Sequence, residues 1–157
     1  MNTDIPKKRV FSDKLVNLIG FGIFLTGIAS ISGLLSIISS IKNQSWNNTG
    51  LYSFSWSVIL FLSIVINFIG LVKIALNEIF FSKTLCYCIW LIGSVFCISS
   101  FVLPRLDGYK DSGFTFLSSE DFVLIDASIL LPGIILIILG CIVREGFQLQ
   151  KESENIL

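Results

Sequence analysis

Four long apolar runs, separated by short polar segments, dominate the pattern of the chain. They cover residues 15–41, 54–76, 85–103 and 122–143. A helix rises about 1.5 Å per residue and a bilayer core is about 30 Å thick, so each run is long enough to cross a membrane. Polar residues arrive together at the ends of the runs, whereas on a soluble helix they would recur along one face. The pattern predicts an all-α polytopic membrane protein, a four-transmembrane-helix bundle.

Basic residues divide unevenly between the two sides that four spans create. One side receives eight of them, namely Lys7, Lys8, Arg9, Lys14, Lys73, Lys83, Arg144 and Lys151, and the other receives Lys42, Arg105 and Lys110. Because cytoplasmic loops carry an excess of Lys and Arg, this bias predicts that both termini are cytoplasmic. We therefore divide the chain into an N-terminal segment (1–14), a transmembrane domain (15–143) and a cytoplasmic tail (144–157).

Composition supports the membrane class and argues against nucleic-acid binding, catalysis and metal binding. Apolar residues make up 54% of the chain and charged residues 14%, whereas about a quarter of a soluble domain is charged. The formal net charge is zero, so no basic field favours direct binding of nucleic acid. Histidine is absent, and no phosphate-binding loop, nucleophile elbow or zinc-protease motif occurs. We expect a non-enzymatic protein with no catalytic site, no metal site and no cofactor.

Two polar side chains inside the predicted spans are candidate functional residues. Asp126 would lie about one turn into the fourth span, where it could serve a structural role near the helix dipole or couple to protons or cations. Asn67, in the second span, would lie toward the other side of the membrane. Pro132 interrupts the fourth span and would either kink it or only shape its packing.

Small residues and cysteines in the spans are expected to serve packing. Gly22, Thr26 and Ser30 recur at four-residue intervals, a spacing that lets helices approach closely. This face could pack within the bundle or support a homo-oligomer, and the sequence leaves both open. All of the cysteines lie within or at the edges of spans and are expected to be reduced packing residues: Cys86, Cys88, Cys97 and Cys141.

The end of the chain carries a resemblance to a known family. The last span is followed by "VREGFQLQKESENIL", which is similar to the segment "FREGxxLQEENDLTI" of domain-of-unknown-function family 2975. Between spans two and three, "FFSKTLCYCIWLIG" resembles a second family segment but lacks its asparagine and its later basic residues. The shared tail residues are candidates for binding a partner: Arg144, Glu145, Gly146, Leu149, Gln150 and Glu152.

The resemblance implies a small four-helix protein of the bacterial cytoplasmic membrane. Members of this family are often encoded beside a helix-turn-helix regulator of the Cro/C1 type, which implies such a regulator as a cytosolic partner. The alternative hypothesis is a small transporter or immunity-type protein that binds a small ligand or peptide within the bundle, near Asp126, Asn67 and Pro132. The family carries no established catalytic residues to this chain.

Overall fold

The structure, a computed structural model, describes residues 13–77, 83–119 and 122–156. Within them lie helices α1 (Asp13–Lys42), α2 (Trp46–Thr49), α3 (Leu51–Asn77), α4 (Lys83–Val102) and α5 (Ala127–Ile156), a 3₁₀ turn (Leu103–Arg105), and strands β1 (Thr115–Ser119) and β2 (Phe122–Asp126). Four of these helices, α1, α3, α4 and α5, are long and apolar enough to cross a membrane. The prediction of four helical spans is confirmed. Most of the predicted N-terminal segment and the middle of the loop between spans two and three lie outside the described residues.

Each long helix packs on its neighbour in the chain: α1 on α3, α3 on α4, and α4 on α5. The closest approach joins α4 and α5, where a Cβ atom added to Gly93 would lie 2.9 Å from the carbonyl oxygen of Gly133. A Cβ atom added to Gly133 would in turn lie 2.9 Å from the backbone nitrogen of Cys97. The absence of side chains at these two glycines therefore lets the two backbones pack directly on each other.

The small residues of the first span also face a neighbouring helix. A Cβ atom at Gly22 would meet the side chain of Leu71 at 3.4 Å, and one at Gly33 would meet that of Phe61 at 2.8 Å, both on α3. The hydroxyl of Thr26 donates to the carbonyl oxygen of Gly22 within α1 itself, at 2.7 Å. Packing of this face within the chain is thus confirmed, and its use in a homo-oligomer stays a prediction.

The fourth span begins later than predicted. Residues 122–126, expected to open the helix, form β2, which pairs antiparallel with β1 so that Thr115 lies opposite Asp126 and Ser119 lies opposite Phe122. The two strands are adjacent in sequence, and their antiparallel pairing satisfies backbone groups on both of them. Helix α5 then starts at Ala127 and runs unbroken through Pro132 to Ile156.

The connections next to the hairpin pack on one another. Gly50 and Gly108 both adopt a positive φ, and a Cβ atom on Gly50 would lie 2.9 Å from the carbonyl oxygen of Asp107. The same oxygen accepts a hydrogen bond from the backbone nitrogen of Tyr52, at 3.1 Å. We call this end of the molecule, where α3 and α5 begin and α4 ends, the hairpin end. The opposite end, where α4 begins and α5 finishes, is the tail end.

Candidate functional site

Asp126 is the centre of the polar network at the hairpin end. It is the last residue of β2, lies directly before α5, and is only 1% exposed. Its Oδ1 atom accepts hydrogen bonds from the backbone nitrogen of Ser128 at 3.0 Å, from the Ser128 hydroxyl at 2.6 Å and from the Ser112 hydroxyl at 3.0 Å. Its Oδ2 atom accepts one from the Tyr109 hydroxyl at 2.9 Å. Four donors from the loop and the helix start thus surround one carboxylate.

The position of Asp126 explains this arrangement. The residue before the first helical residue has a side chain that can accept from the free N–H groups of the first turn, and aspartate is among the preferred residues there. The positive end of the α5 dipole also favours a negative charge at this point. No buried side-chain nitrogen or oxygen in the described part of the chain lacks a hydrogen-bond partner. Asp126 therefore caps α5 and ties the preceding loop to the helix.

Tyr109 links this cap to α3. Its ring contacts the ring of Tyr52 in an edge-to-face arrangement, with centroids 5.2 Å apart. Burial raises the pKa of the Tyr109 phenol above its ordinary value of about 10, and the hydrogen bond to Asp126 raises this pKa further. The phenol is therefore neutral near pH 7 and can donate to the carboxylate. The result is a continuous contact from the start of α3 through Tyr109 to the start of α5.

The two predicted intramembrane polar residues, Asp126 and Asn67, lie in different parts of the structure. The prediction that Asp126 lies one turn inside a helix is wrong, because the five residues up to and including it form a strand and the helix starts after it. Asn67 lies exposed on α3, fifteen residues beyond Tyr52, which corresponds to about 22 Å along a helix. Because Tyr52 lies beside the Asp126 network, the structure does not bring Asp126 and Asn67 together.

Three members of the network were missed in the sequence. They are the hydroxyl donors Tyr109, Ser112 and Ser128. One local signal was present, since an aspartate just before a long apolar run is typical of a helix N-cap. No comparable signal links residue 109 to residue 126, because their contact depends on how the loop folds over the hairpin.

The six tail candidates lie on one continuous helix, but on different faces of it. Arg144 lines a groove of about 530 Å³ between α4 and α5, which also includes Lys83 and Trp90. Glu145, Gly146 and Leu149 lie instead on a neighbouring face with Ile138 and Ile142, which we call the tail stripe. Gln150 and Glu152 fall in the last turns of α5. The predicted contact surface is thus divided in two.

The cysteines and acidic residues that the structure describes do not cluster as metal ligands. The described residues contain no group of three or more His, Cys, Asp or Glu side chains placed to hold a metal ion. The four cysteines are free, and the Cys86 thiol donates to the carbonyl oxygen of Gly140 at 3.3 Å, which joins α4 to α5.

These features define a helical membrane protein with a β-hairpin and the capped start of α5 at one end, and the last turns of α5 at the other. Comparisons of the chain with protein-family models, curated proteins and solved structures found no match. The resemblance of the tail to domain-of-unknown-function family 2975 therefore stays a prediction.

Proposed function

We propose that this chain is a non-enzymatic integral membrane protein that binds a cytosolic protein through the end of α5. The observation that carries the proposal is the length of that helix, which runs unbroken for 30 residues from Ala127 to Ile156. Thirty helical residues extend about 45 Å, whereas the apolar core of a bilayer is about 30 Å thick. The helix therefore extends beyond the membrane as a rigid rod that can present side chains to a partner.

The tail stripe has the composition of a helix that docks into a groove of another protein. Ile142 is 60% exposed and Leu149 is 65% exposed, and Glu145 lies on the same face between them. Apolar anchors spaced by three, four or seven residues are the pattern by which a groove recognises an amphipathic helix. Ile142 and Leu149 are seven residues apart, and Glu145 lies three residues after Ile142. Ile142 belongs to the last turn of the span, so the cytosolic part of the stripe offers one apolar anchor, Leu149, and one charge, Glu145.

The compartment and the partner form part of the same proposal. The basic bias along the chain supports cytoplasmic termini, and with that orientation the part of the tail stripe beyond Arg144, namely Glu145, Gly146 and Leu149, faces the cytosol of a bacterial cell. The resemblance of the tail supports a helix-turn-helix regulator of the Cro/C1 type as the partner, with the membrane protein restraining it or signalling to it. The alternative, a transporter or immunity-type protein, needs a polar ligand site inside the bundle. No observation favours it, because Asp126 is occupied by four donors at the hairpin end.

Crosslinking and affinity capture from native membranes test the proposal. A chain truncated after Gln148 removes Leu149 and the last turns but keeps the residues that line the groove between α4 and α5. It should insert into the membrane as the full chain does and lose the captured cytosolic protein. Glu145→Lys and Leu149→Glu, which change the tail stripe in the full chain, should have the same effect.

The matched control is Gln148→Ala, because Gln148 is exposed at the same level of α5 but lines the groove instead of the tail stripe. This variant should retain the partner. Quantitative proteomics that returned the same proteins from the full and truncated chains would refute binding by the tail. Capture of a protein without a helix-turn-helix domain, lost on truncation, would refute only the identity of the partner.

A further inference from the structure

The groove between α4 and α5 at the tail end is lined by two cations and by aromatic side chains. Lys83 and Arg144 both line it, together with Tyr87, Trp90, Phe147 and Gln148. None of its lining residues is acidic. Within the described part of the chain, neither cation forms an ion pair: Glu145, the nearest acid in sequence to Arg144, lies on the tail stripe. Among the residues that the structure describes, these two exposed positive charges therefore have no counter-charge.

The helix geometry places both cations at the same level of the membrane. The hydrogen bond from the Cys86 thiol to the carbonyl oxygen of Gly140 fixes α4 and α5 side by side at that point. Lys83 lies three residues before Cys86, and Arg144 lies four residues after Gly140, on the antiparallel helix. At about 1.5 Å per residue, the two are about 4.5 and 6 Å further toward the tail end. They therefore lie at the edge of the apolar spans, where lipid headgroups are found.

The apolar part of the groove continues toward the middle of the membrane. Trp90 is 52% exposed and its Cδ1 atom would lie 3.0 Å from a Cβ atom added to Gly140. Because Gly140 has no side chain, the indole ring and the adjoining surface of α5 form one wall next to the cations. The site thus combines positive charge at the rim with apolar surface below it, which is the distribution of charge and apolar surface that a phospholipid requires.

We propose that this groove binds an acidic phospholipid, with Lys83 and Arg144 holding its phosphate and Trp90 contacting its acyl chain. Basic pockets between membrane helices bind acidic headgroups in this way, and each cation near the surface favours an acidic lipid by roughly a factor of five. Two cations should therefore favour an acidic over a zwitterionic lipid by about five- to thirtyfold. This proposal is independent of the partner-binding proposal, which uses the neighbouring face of α5.

Fluorescence quenching by brominated lipids measures this preference. The chain contains three tryptophans, so Trp46→Phe combined with Trp56→Phe leaves Trp90 as the only reporter. In vesicles that mix phosphatidylcholine and phosphatidylglycerol, brominated phosphatidylglycerol should quench Trp90 at a five- to thirtyfold lower mole fraction than brominated phosphatidylcholine. Equal quenching by the two lipids would overturn the proposal. Native mass spectrometry of the unmodified protein, comparing retained lipids, gives the same decision without any substitution.

Charge variants test whether the two cations cause the preference. Lys83→Gln combined with Arg144→Gln should abolish it. Lys14→Gln combined with Lys73→Gln removes the same charge from exposed positions of α1 and α3 outside the groove, and should leave the preference within twofold. An equal loss in both pairs would show that general surface charge is responsible and would overturn the site. Displacement of the lipid by millimolar inorganic phosphate would likewise overturn it, because the groove would then hold a free anion.

Discussion

The carboxylate of Asp126 should contribute more to stability than any other polar side chain at the hairpin end. Replacing it with alanine removes the cap of α5, at a cost of typically about 1 kcal/mol. It also removes hydrogen bonds from the hydroxyls of Tyr109, Ser112 and Ser128 to a charged group, which contribute about 1.5–3 kcal/mol each when no water replaces them. Ser112 and Ser128 are exposed and can bond to water instead, whereas Tyr109 is partly buried. We therefore expect Asp126→Ala to lower the free energy of unfolding by about 2–4 kcal/mol.

Asp126→Asn separates the charge from the shape of the side chain. The amide oxygen can still accept from the first turn of α5, and the Tyr109 hydroxyl can rotate to accept from the amide nitrogen, so the loss should be about 1–2 kcal/mol. Asp111 provides the matched control, because it is an exposed carboxylate of the same loop that accepts a single bond, from the backbone nitrogen of Gly113 at 2.8 Å. Asp111→Asn should change stability by less than about 0.5 kcal/mol.

Unfolding by titration with dodecyl sulfate in mixed micelles measures these differences, with tryptophan fluorescence and circular dichroism as readouts. The expected order of stability is wild type and Asp111→Asn together, then Asp126→Asn, then Asp126→Ala. If Asp126→Ala were as stable as Asp111→Asn, the assignment of Asp126 as the cap that ties the loop to α5 would be wrong.

Four further outcomes are expected. Tyr109 should titrate above the ordinary tyrosine pKa of about 10, and its pKa should fall in the Asp126→Asn variant, as followed by tyrosinate absorbance against a Tyr109→Phe blank. Because this pKa is raised on folding, the contribution of Tyr109 to stability is fully present below about pH 10 and is lost as pH rises through the pKa of the folded state. A midpoint of the dodecyl sulfate titration that increased above about pH 10 would contradict this. Gly133→Ala should destabilise the protein by about 1–3 kcal/mol in the same micelle titration, because its Cβ would lie 2.8 Å from the Cys97 sulfur on α4. The control Gly20→Ala, whose Cβ would have nothing within 4 Å, should have no such effect. Replacement of all four cysteines with alanine should lower the free energy of unfolding by only about 1 kcal/mol for each partly buried site. In that cysteine-free background, single cysteines placed at the exposed positions Lys110 and Glu152 should react with impermeant maleimide from opposite sides of the membrane. Labelling of both from the same side would refute the four-span topology.

The pattern along the chain was sufficient to predict the four helices and their approximate ends. Partition of a 20-residue apolar segment out of water depends mainly on that segment, so the information is local. Helix α5 continues past the end of the apolar run, through Arg144 to Ile156. The hydrophobic pattern did not predict the hairpin, because the apolar strand β2 directly precedes the apolar start of α5 and the two form a single apolar run in the sequence.

The site at the hairpin end depends on contacts that no local pattern contains. Tyr109 and Asp126 are 17 residues apart, and Tyr52 is further away still, so their meeting requires the close approach of the two loops at Gly50 and Gly108. The division of the tail residues between a groove and an exposed stripe likewise depends on which face of α5 packs on α4. The sequence by itself determined how many times the chain crosses the membrane, since each crossing needs only its own apolar residues. Tertiary structure alone decided which distant polar groups meet, because two of the four bonds to the buried carboxylate of Asp126 come from Ser112 and Tyr109, 14 and 17 residues away.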